Sequence, residues 1–115
     1  MKHLLNSAAV ALLLTGASAY ANESVLTETA EPGQWAIQTG DYANTRYSEL
    51  DQITRENVGD LRVAWSFSTG VLRGHEGGPL VVDNIMYVHT PFPNNIFALD
   101  LNDNGKILWR HTPQQ

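Results

Sequence analysis

The chain has 115 residues, room for one small domain, and its 43% hydrophobic and 17% charged content excludes both a disordered acidic tail and a membrane bundle. Seven basic against twelve acidic side chains give a net charge of −5, so the basic stripe that a nucleic-acid binder needs to displace counterions is missing. No cysteine is present, which excludes a disulfide scaffold, a zinc finger and a thiol nucleophile within these residues.

Met1-Lys2-His3 is a short basic start, and Leu4 to Leu14 is apolar apart from Asn6 and Ser7. Ala17-Ser18-Ala19 and Ala19-Tyr20-Ala21 each offer the small-x-small pattern of a cleavage site. The apolar run is too short to cross ~30 Å of hydrocarbon as a helix. Residues 1–21 are therefore expected to be a cleavable secretory signal peptide, cut after Ala21, in preference to a buried N-terminal helix. Residues 22–53 are expected to form an arm. Its first half, to Gly40, is polar and acidic with Glu23, Glu28, Glu31 and Pro32, has no sustained apolar period, and offers Trp35 and Ile37 as anchors. Residues 54–115 carry the folded part. Thr54 is a candidate N-cap, and Val58 and Leu61 lie three apart, which predicts a helical turn or two over about 54–61, kept short by Gly59.

The period then changes to two. Val63, Trp65 and Phe67 alternate with Arg62, Ala64, Ser66 and Ser68, predicting a strand that ends at Gly70. Four further strands are predicted at 79–82, 85–90, 95–101 and 106–112. Asp83-Asn84 is a tight-turn signal between the first two, Pro91 to Asn95 a rigid connection, and Asn102 to Gly105 a turn. Residues 79–112 thus read as an antiparallel meander of four short strands, about the size of one propeller blade. One blade leaves two apolar faces without neighbours, and repeat units generally need about three copies to hold a core. The chain, which stops just after its fourth strand, is expected to be the beginning of a longer protein.

Three ordered segments carry a family resemblance. The first is Tyr42-Ala43-Asn44-Thr45-Arg46-Tyr47-Ser48 with Leu50, Gln52-Ile53, Asn57-Val58, Leu61, Ala64-Trp65 and Thr69-Gly70. The second runs from Gly70 through Arg73-Gly74-His75-Glu76-Gly77-Gly78-Pro79 to Val82, with Met86-Tyr87 and Thr90-Pro91-Phe92-Pro93-Asn94. The third is Ala98-Leu99-Asp100 with Gly105-Lys106 and Trp109. Together they resemble the opening of the large subunit of pyrroloquinoline quinone (PQQ) dependent alcohol dehydrogenases, closest to the methanol dehydrogenase branch, from Trp35 onward.

The resemblance implies an all-β fold: the N-terminal part of an eight-bladed β-propeller, with a short N-terminal helix, one closing strand at 62–69 that pairs with the last blade, and about one four-stranded blade. The third segment matches a tryptophan-docking repeat with one extra residue in the 102–105 turn, which a longer hairpin is expected to absorb without altering the strand faces. In that repeat Trp109 is scaffold, Gly105 supplies a positive backbone angle, Ala98 leaves room for a ring, and the Asp100 carboxylate accepts from turn amides.

By the same resemblance, Glu76 is a PQQ contact, at one of the cofactor's acidic groups. Two such carboxylates repel unless one is protonated or a cation intervenes. Glycines around it let the backbone approach a flat ligand closely. His75 is expected to point away from that ligand as a hydrogen-bonded structural residue, and Arg73 is left as a loop cation. His89 and His111 do not suggest a metal pair. No catalytic residue and no metal ligand is assigned here, because the family's catalytic Asp, its Ca²⁺ or lanthanide ligands and its vicinal disulfide lie further along the chain. The implied reaction is oxidation of a primary alcohol to the aldehyde in the periplasm, with electrons passing to a periplasmic cytochrome c, by a protein with either a small subunit or a homodimeric state. This chain alone is expected to be inactive. Two other readings stay open: a non-enzymatic envelope propeller scaffold sharing the docking repeat, which has no use for residues 73–79, and a small secreted product in its own right.

Overall fold

A computed structural model describes residues 23–114; the signal peptide expected at 1–21 lies outside them. Four antiparallel strands, β1 (Leu80–Val82), β2 (Ile85–His89), β3 (Ile96–Asp100) and β4 (Lys106–His111), form one sheet in sequence order. Each lies within a residue or two of its predicted bounds. The order is that of a meander because every connection is short enough to return the chain beside the strand it has just left.

The turn chemistry follows the residue types. Asp83 and Asn84 both have positive φ, 51° and 60°, as a two-residue hairpin requires and as these two side chains tolerate. Between β2 and β3, Thr90 and Asn95 close the connection: the Thr90 amide donates to the Asn95 carbonyl at 2.9 Å and the Asn95 amide donates to Thr90 Oγ1 at 3.0 Å. Both residues are only 2% exposed. The Asn95 side-chain oxygen also accepts from Arg110 at 3.2 Å and from Thr112 at 2.9 Å, which ties β4 to the same point. Between β3 and β4, the Asp100 carboxylate accepts from the Asn102 amide at 2.8 Å, and a 3₁₀ turn (Leu101–Asp103) leads into Asn104 and Gly105 at φ 53° and 74°.

Register sorts the sheet into two faces. Phe97 and Leu99 share one face with their partners Val88 and Met86, while Ala98 lies on the other between Tyr87 and Trp109. Phe97, Ala98 and Leu99 are the buried apolar residues, at 4%, 0% and 1% exposure. Because Ala98 is small, the Tyr87 and Trp109 rings meet above it, with centroids 6.0 Å apart. Here the structure departs from the sequence reading. The turn does not absorb the irregularity of the third segment on its own: a register shift between Ala98 and Leu99 pairs Ala98 with Trp109 and Leu99 with Ile107, leaving Leu108 as the extra residue of a bulge. A bulge exchanges the two faces beyond it, and this one brings Trp109, not Leu108, opposite Ala98. Trp109 itself remains 46% exposed.

Residues 62–69, expected to pair with the last blade, join no ladder among the described residues. A strand needs a hydrogen-bonding neighbour as well as a periodic pattern. The predicted inward face is kept only in part: Trp65, Phe67 and Thr69 are half-buried between exposed neighbours, whereas Val63, expected beside them, is 87% exposed. Phe67 meets Phe97 edge to face at 5.1 Å, and Trp65 covers Gly105, where a Cβ would lie 2.6 Å from its ring. The helical turn predicted over 54–61 is reduced to one 3₁₀ turn (Val58–Asp60). Its N-cap is Asn57 and not Thr54; Thr54 instead closes the turn before it, with Oγ1 accepting from the Glu56 amide at 3.2 Å and its carbonyl from Val58 at 3.0 Å.

The arm contains an eight-residue helix, α1 (Glu23–Ala30), where no regular element is predicted. Its two threonines return their hydroxyls to helix carbonyls, Thr27 to Glu23 and Thr29 to Leu26, both at 3.0 Å. Trp35 does anchor the arm, but through its backbone: Trp35 and Val81 exchange hydrogen bonds of 2.7 and 3.0 Å across the outer edge of β1. Gln34 reinforces this bridge, donating to the Asp83 carboxylate at 3.2 Å and accepting from the Asp83 amide at 2.9 Å. Among the described residues, no helix is long and apolar enough to cross a membrane.

Candidate functional site

Arg73-Gly74-His75-Glu76-Gly77-Gly78-Pro79 enters the sheet as an irregular, mostly exposed loop immediately before β1. Pro79 ends it, since proline fixes φ and has no N–H to donate to a ladder. Glycine at three of the seven positions leaves the backbone soft, so a few fixed points determine its path. At one end, the Arg73 guanidinium sits 5.6 Å from the centre of the Phe92 ring, a cation–π contact with the β2–β3 connection. In the middle, His75 takes two hydrogen bonds, Nδ1 to the Arg73 carbonyl at 2.9 Å and Nε2 to Thr69 Oγ1 at 3.1 Å. At the other end, Gly77 packs directly on the His89 ring, in the space a Cβ would need. Gly78 lies on Gln38, a Cβ there being 3.1 Å from that side chain.

These contacts border a groove of about 340 Å³ between the loop and the end of β2, walled by Gly74, Glu76 and Gly77 on one side and by His89, Pro91 and Asn94 on the other. Glu76 is exposed at its rim and makes no hydrogen bond or ion pair with a described residue. A Cβ on Gly74 would meet nothing within 4 Å, so the backbone there is open to a ligand. The roles of the loop glycines therefore differ: Gly74 leaves space, whereas Gly77 makes a packing contact with His89.

His75 is a hydrogen-bonded residue, as expected of an isolated histidine in this setting, although it borders the groove together with Glu76 and does not turn fully away. The Arg73 carbonyl can only accept, so Nδ1 carries the proton in that bond, and a neutral ring presents the Nε2 lone pair to the Thr69 hydroxyl. Thr69 Oγ1 in turn accepts from the Val71 amide at 3.3 Å. His89 and His111 both pair with Ile96, which puts them two strand spacings apart, about 10 Å. Among the described residues no group of histidines and carboxylates could hold a metal.

Sequence reasoning missed Thr69, Phe92 and the Thr90–Asn95 pair as loop partners. The last of these had a signal, a Thr and an Asn bracketing Pro91-Phe92-Pro93, but pairing across such a connection is a property of its three-dimensional path. A second groove, of about 420 Å³, lies under the arm among Trp35, Asp41, Thr45, Tyr47 and Val81, and is lined in part by the first of the three segments that carry the resemblance. In it the Asp41 carboxylate accepts from the Thr45 amide at 3.0 Å and the Thr45 hydroxyl at 2.7 Å. Those bonds hold its pKa below the ordinary value of 3.8.

Comparison with known proteins agrees with the sheet. Residues 35–115 match the family model described as the glucose/ethanol/alcohol dehydrogenase β-propeller domain of PQQ enzymes. The chain is 69% identical, over its whole length, to a protein of Paracoccus denitrificans named as the dehydrogenase XoxF, covering 19% of that protein. It is 62% identical to a lanthanide-dependent methanol dehydrogenase of Methylorubrum extorquens, over 93% of this chain and 19% of the relative. A solved europium-containing methanol dehydrogenase superposes with a TM-score of 0.77 and 58% identity over 82% of this chain and 16% of that one. The chain therefore spans about a fifth of the length of the relatives it matches. Through residues 35–115 it belongs to the PQQ-dependent alcohol dehydrogenase family, of whose β-propeller it forms an N-terminal part.

Proposed function

We propose that this chain is the N-terminal portion of a periplasmic quinoprotein that oxidises methanol or another primary alcohol to the aldehyde and passes the electrons from PQQ to a cytochrome c. The observation that carries the reading is the loop 73–79: in a chain 62% identical to a methanol dehydrogenase it offers a carboxylate with no hydrogen-bond or ion-pair partner among the described residues, beside an open groove. A non-enzymatic propeller scaffold has no use for such a loop. PQQ, when bound, supplies the quinone that takes up the hydride from the alcohol.

The residues present suit one rim of a flat, acidic ligand and no more. Glu76 reaches a ligand carboxyl if a proton or cation lies between the two, Gly74 leaves room for close approach, and no residue assigned here moves a proton from the substrate. The metal is Ca²⁺ or a lanthanide, its ligands being elsewhere in the full-length polypeptide. The present chain is inactive by itself, since Glu76 is its sole contribution to the cofactor. Glu76→Gln in the full-length polypeptide tests the reading. The expected result is weaker PQQ binding, roughly tenfold for ~1.4 kcal/mol of lost interaction, measured by titrating the apoprotein with PQQ. Unchanged binding would refute it.

A further inference from the structure

Glu76 sits on a backbone that its glycines leave free to move, yet a carboxylate that must meet a ligand group works best when it is already in place. Ordering a flexible segment at the moment of binding subtracts from affinity. Between the Arg73–Phe92 contact and the Gly77–His89 contact there is one fixed point, the ring of His75. We propose that His75 is a positioning residue for Glu76, tying the loop through Thr69 to the extended segment 62–69 so that the carboxylate is held at the groove before the ligand arrives. This rests on the reading of Glu76 as a PQQ contact.

With a neutral ring, each hydrogen bond of the tether has one direction. The Val71 amide donates to Thr69 Oγ1, the Thr69 hydroxyl donates to His75 Nε2, and His75 Nδ1–H donates to the Arg73 carbonyl. Each group in the chain is used once in each direction it has, so the ring has one preferred orientation about its side-chain torsions. Thr69 is itself half-buried at the end of the segment whose Phe67 packs on Phe97. The tether thus connects the loop to the sheet's buried face by a route separate from the covalent one through Pro79. Removing the ring leaves Gly74, Glu76 and Gly77 without a side-chain restraint between Arg73 and His89.

The test is a double-mutant cycle in the full-length polypeptide, read as the dissociation constant of PQQ from quenching of tryptophan fluorescence in the apoprotein. His75→Ala and Thr69→Val are each expected to weaken binding by roughly two- to tenfold, the range set by one net hydrogen bond, and the double variant by no more than either alone. His75→Asn, whose amide can still donate to the Arg73 carbonyl, regains part of the loss. Thermal melting distinguishes these effects from unfolding, and Thr69→Val, nearly isosteric and remote from the groove, provides a second route should His75→Ala fold poorly. If Glu76→Gln weakens binding while His75→Ala and Thr69→Val do not, or if their two losses add, the positioning role is overturned and the reading of Glu76 stands. If Glu76→Gln itself has no effect, both are overturned.

Discussion

Between Leu80 and His111 the backbone bonds to partners distant in sequence, Ile85 facing Asp100 and Ile96 facing His111. Between Thr39 and Leu61 most hydrogen bonds close within five residues and many run through side chains, as at Thr39–Asn44, Asp41–Thr45, Thr54–Asn57 and Gln52–Asn57. The sheet is cooperative because each strand completes its neighbour. The lead-in segment is a series of small independent loops, each satisfied by its own Thr, Asn or Asp. Such loops hold a shape but bury little, which is why Tyr47, Leu50, Ile53 and Leu61 stay largely exposed. Residues 62–69, which link the two regions, pack onto the sheet through Trp65 on Gly105 and Phe67 on Phe97.

The comparison breaks most completely at Leu99, 1% exposed on the central strand β3. Leu99→Ala should cost about 2–5 kcal/mol through lost transfer energy and the cavity left behind. Amide exchange in the full-length polypeptide is expected to rise throughout β2 and β3 and to stay unchanged at Thr45 and Thr54. A matching rise in the lead-in segment would show that the two regions unfold as one.

Gly105→Ala attacks the joint. It combines a backbone angle of φ +74° with a Cβ 2.6 Å from the Trp65 ring. Left-handed strain of about 1–2 kcal/mol and overpacking of about 1–3 kcal/mol together predict a loss of roughly 2–5 kcal/mol. Trp65 fluorescence should shift toward that of a solvated indole. An unshifted spectrum with the same loss of stability would place the whole effect in the turn.

The smallest effect lies wholly within the lead-in segment. Asp41 has a lowered pKa chiefly because the Thr45 amide and hydroxyl bond to its charged form. A carboxylate whose folded pKa is depressed stabilises the fold above its unfolded pKa, and that contribution disappears as pH falls through the folded value. Since the ordinary value is 3.8, exchange at the Thr45 amide should be pH-independent, after correction for intrinsic rates, from neutrality to about that point and then accelerate below it. The β2–β3 amides should not follow.

How far the sequence alone carried these assignments depended on the same contrast. The four strands were legible because alternation, the Asp83-Asn84 turn and Gly105 all point to one register, and Asp100 caps its turn as its type suggests. The bulge at Leu108 was not, because pairing Ala98 with Trp109 depends on which ring fits opposite a small residue. Helix α1 escaped notice because Val25 and Leu26 are too few to set a helical period, and its threonines bond locally. Within 62–69 the predicted alternation holds from Trp65 onward and fails at Val63, which is 87% exposed; ladder formation is decided by a neighbour and not by the segment itself. At the site, the Glu76 motif stood out in the sequence, whereas its supports at Thr69, Phe92 and His89 are far enough away in the chain to be visible only once folded.

The bridge at Trp35 has a consequence for growth. By occupying the Val81 backbone, and with Gln34 holding the Asp83 turn, the arm terminates the sheet on the β1 side. β4 is exposed along its whole length and pairs with β3 alone among the described strands. An unpaired edge is a template for another strand, and a covered one is not. The sheet is therefore polar in the sense that a growing filament is polar: further strands, whether from the same polypeptide or, in misassembly, from another, can be added at one margin only.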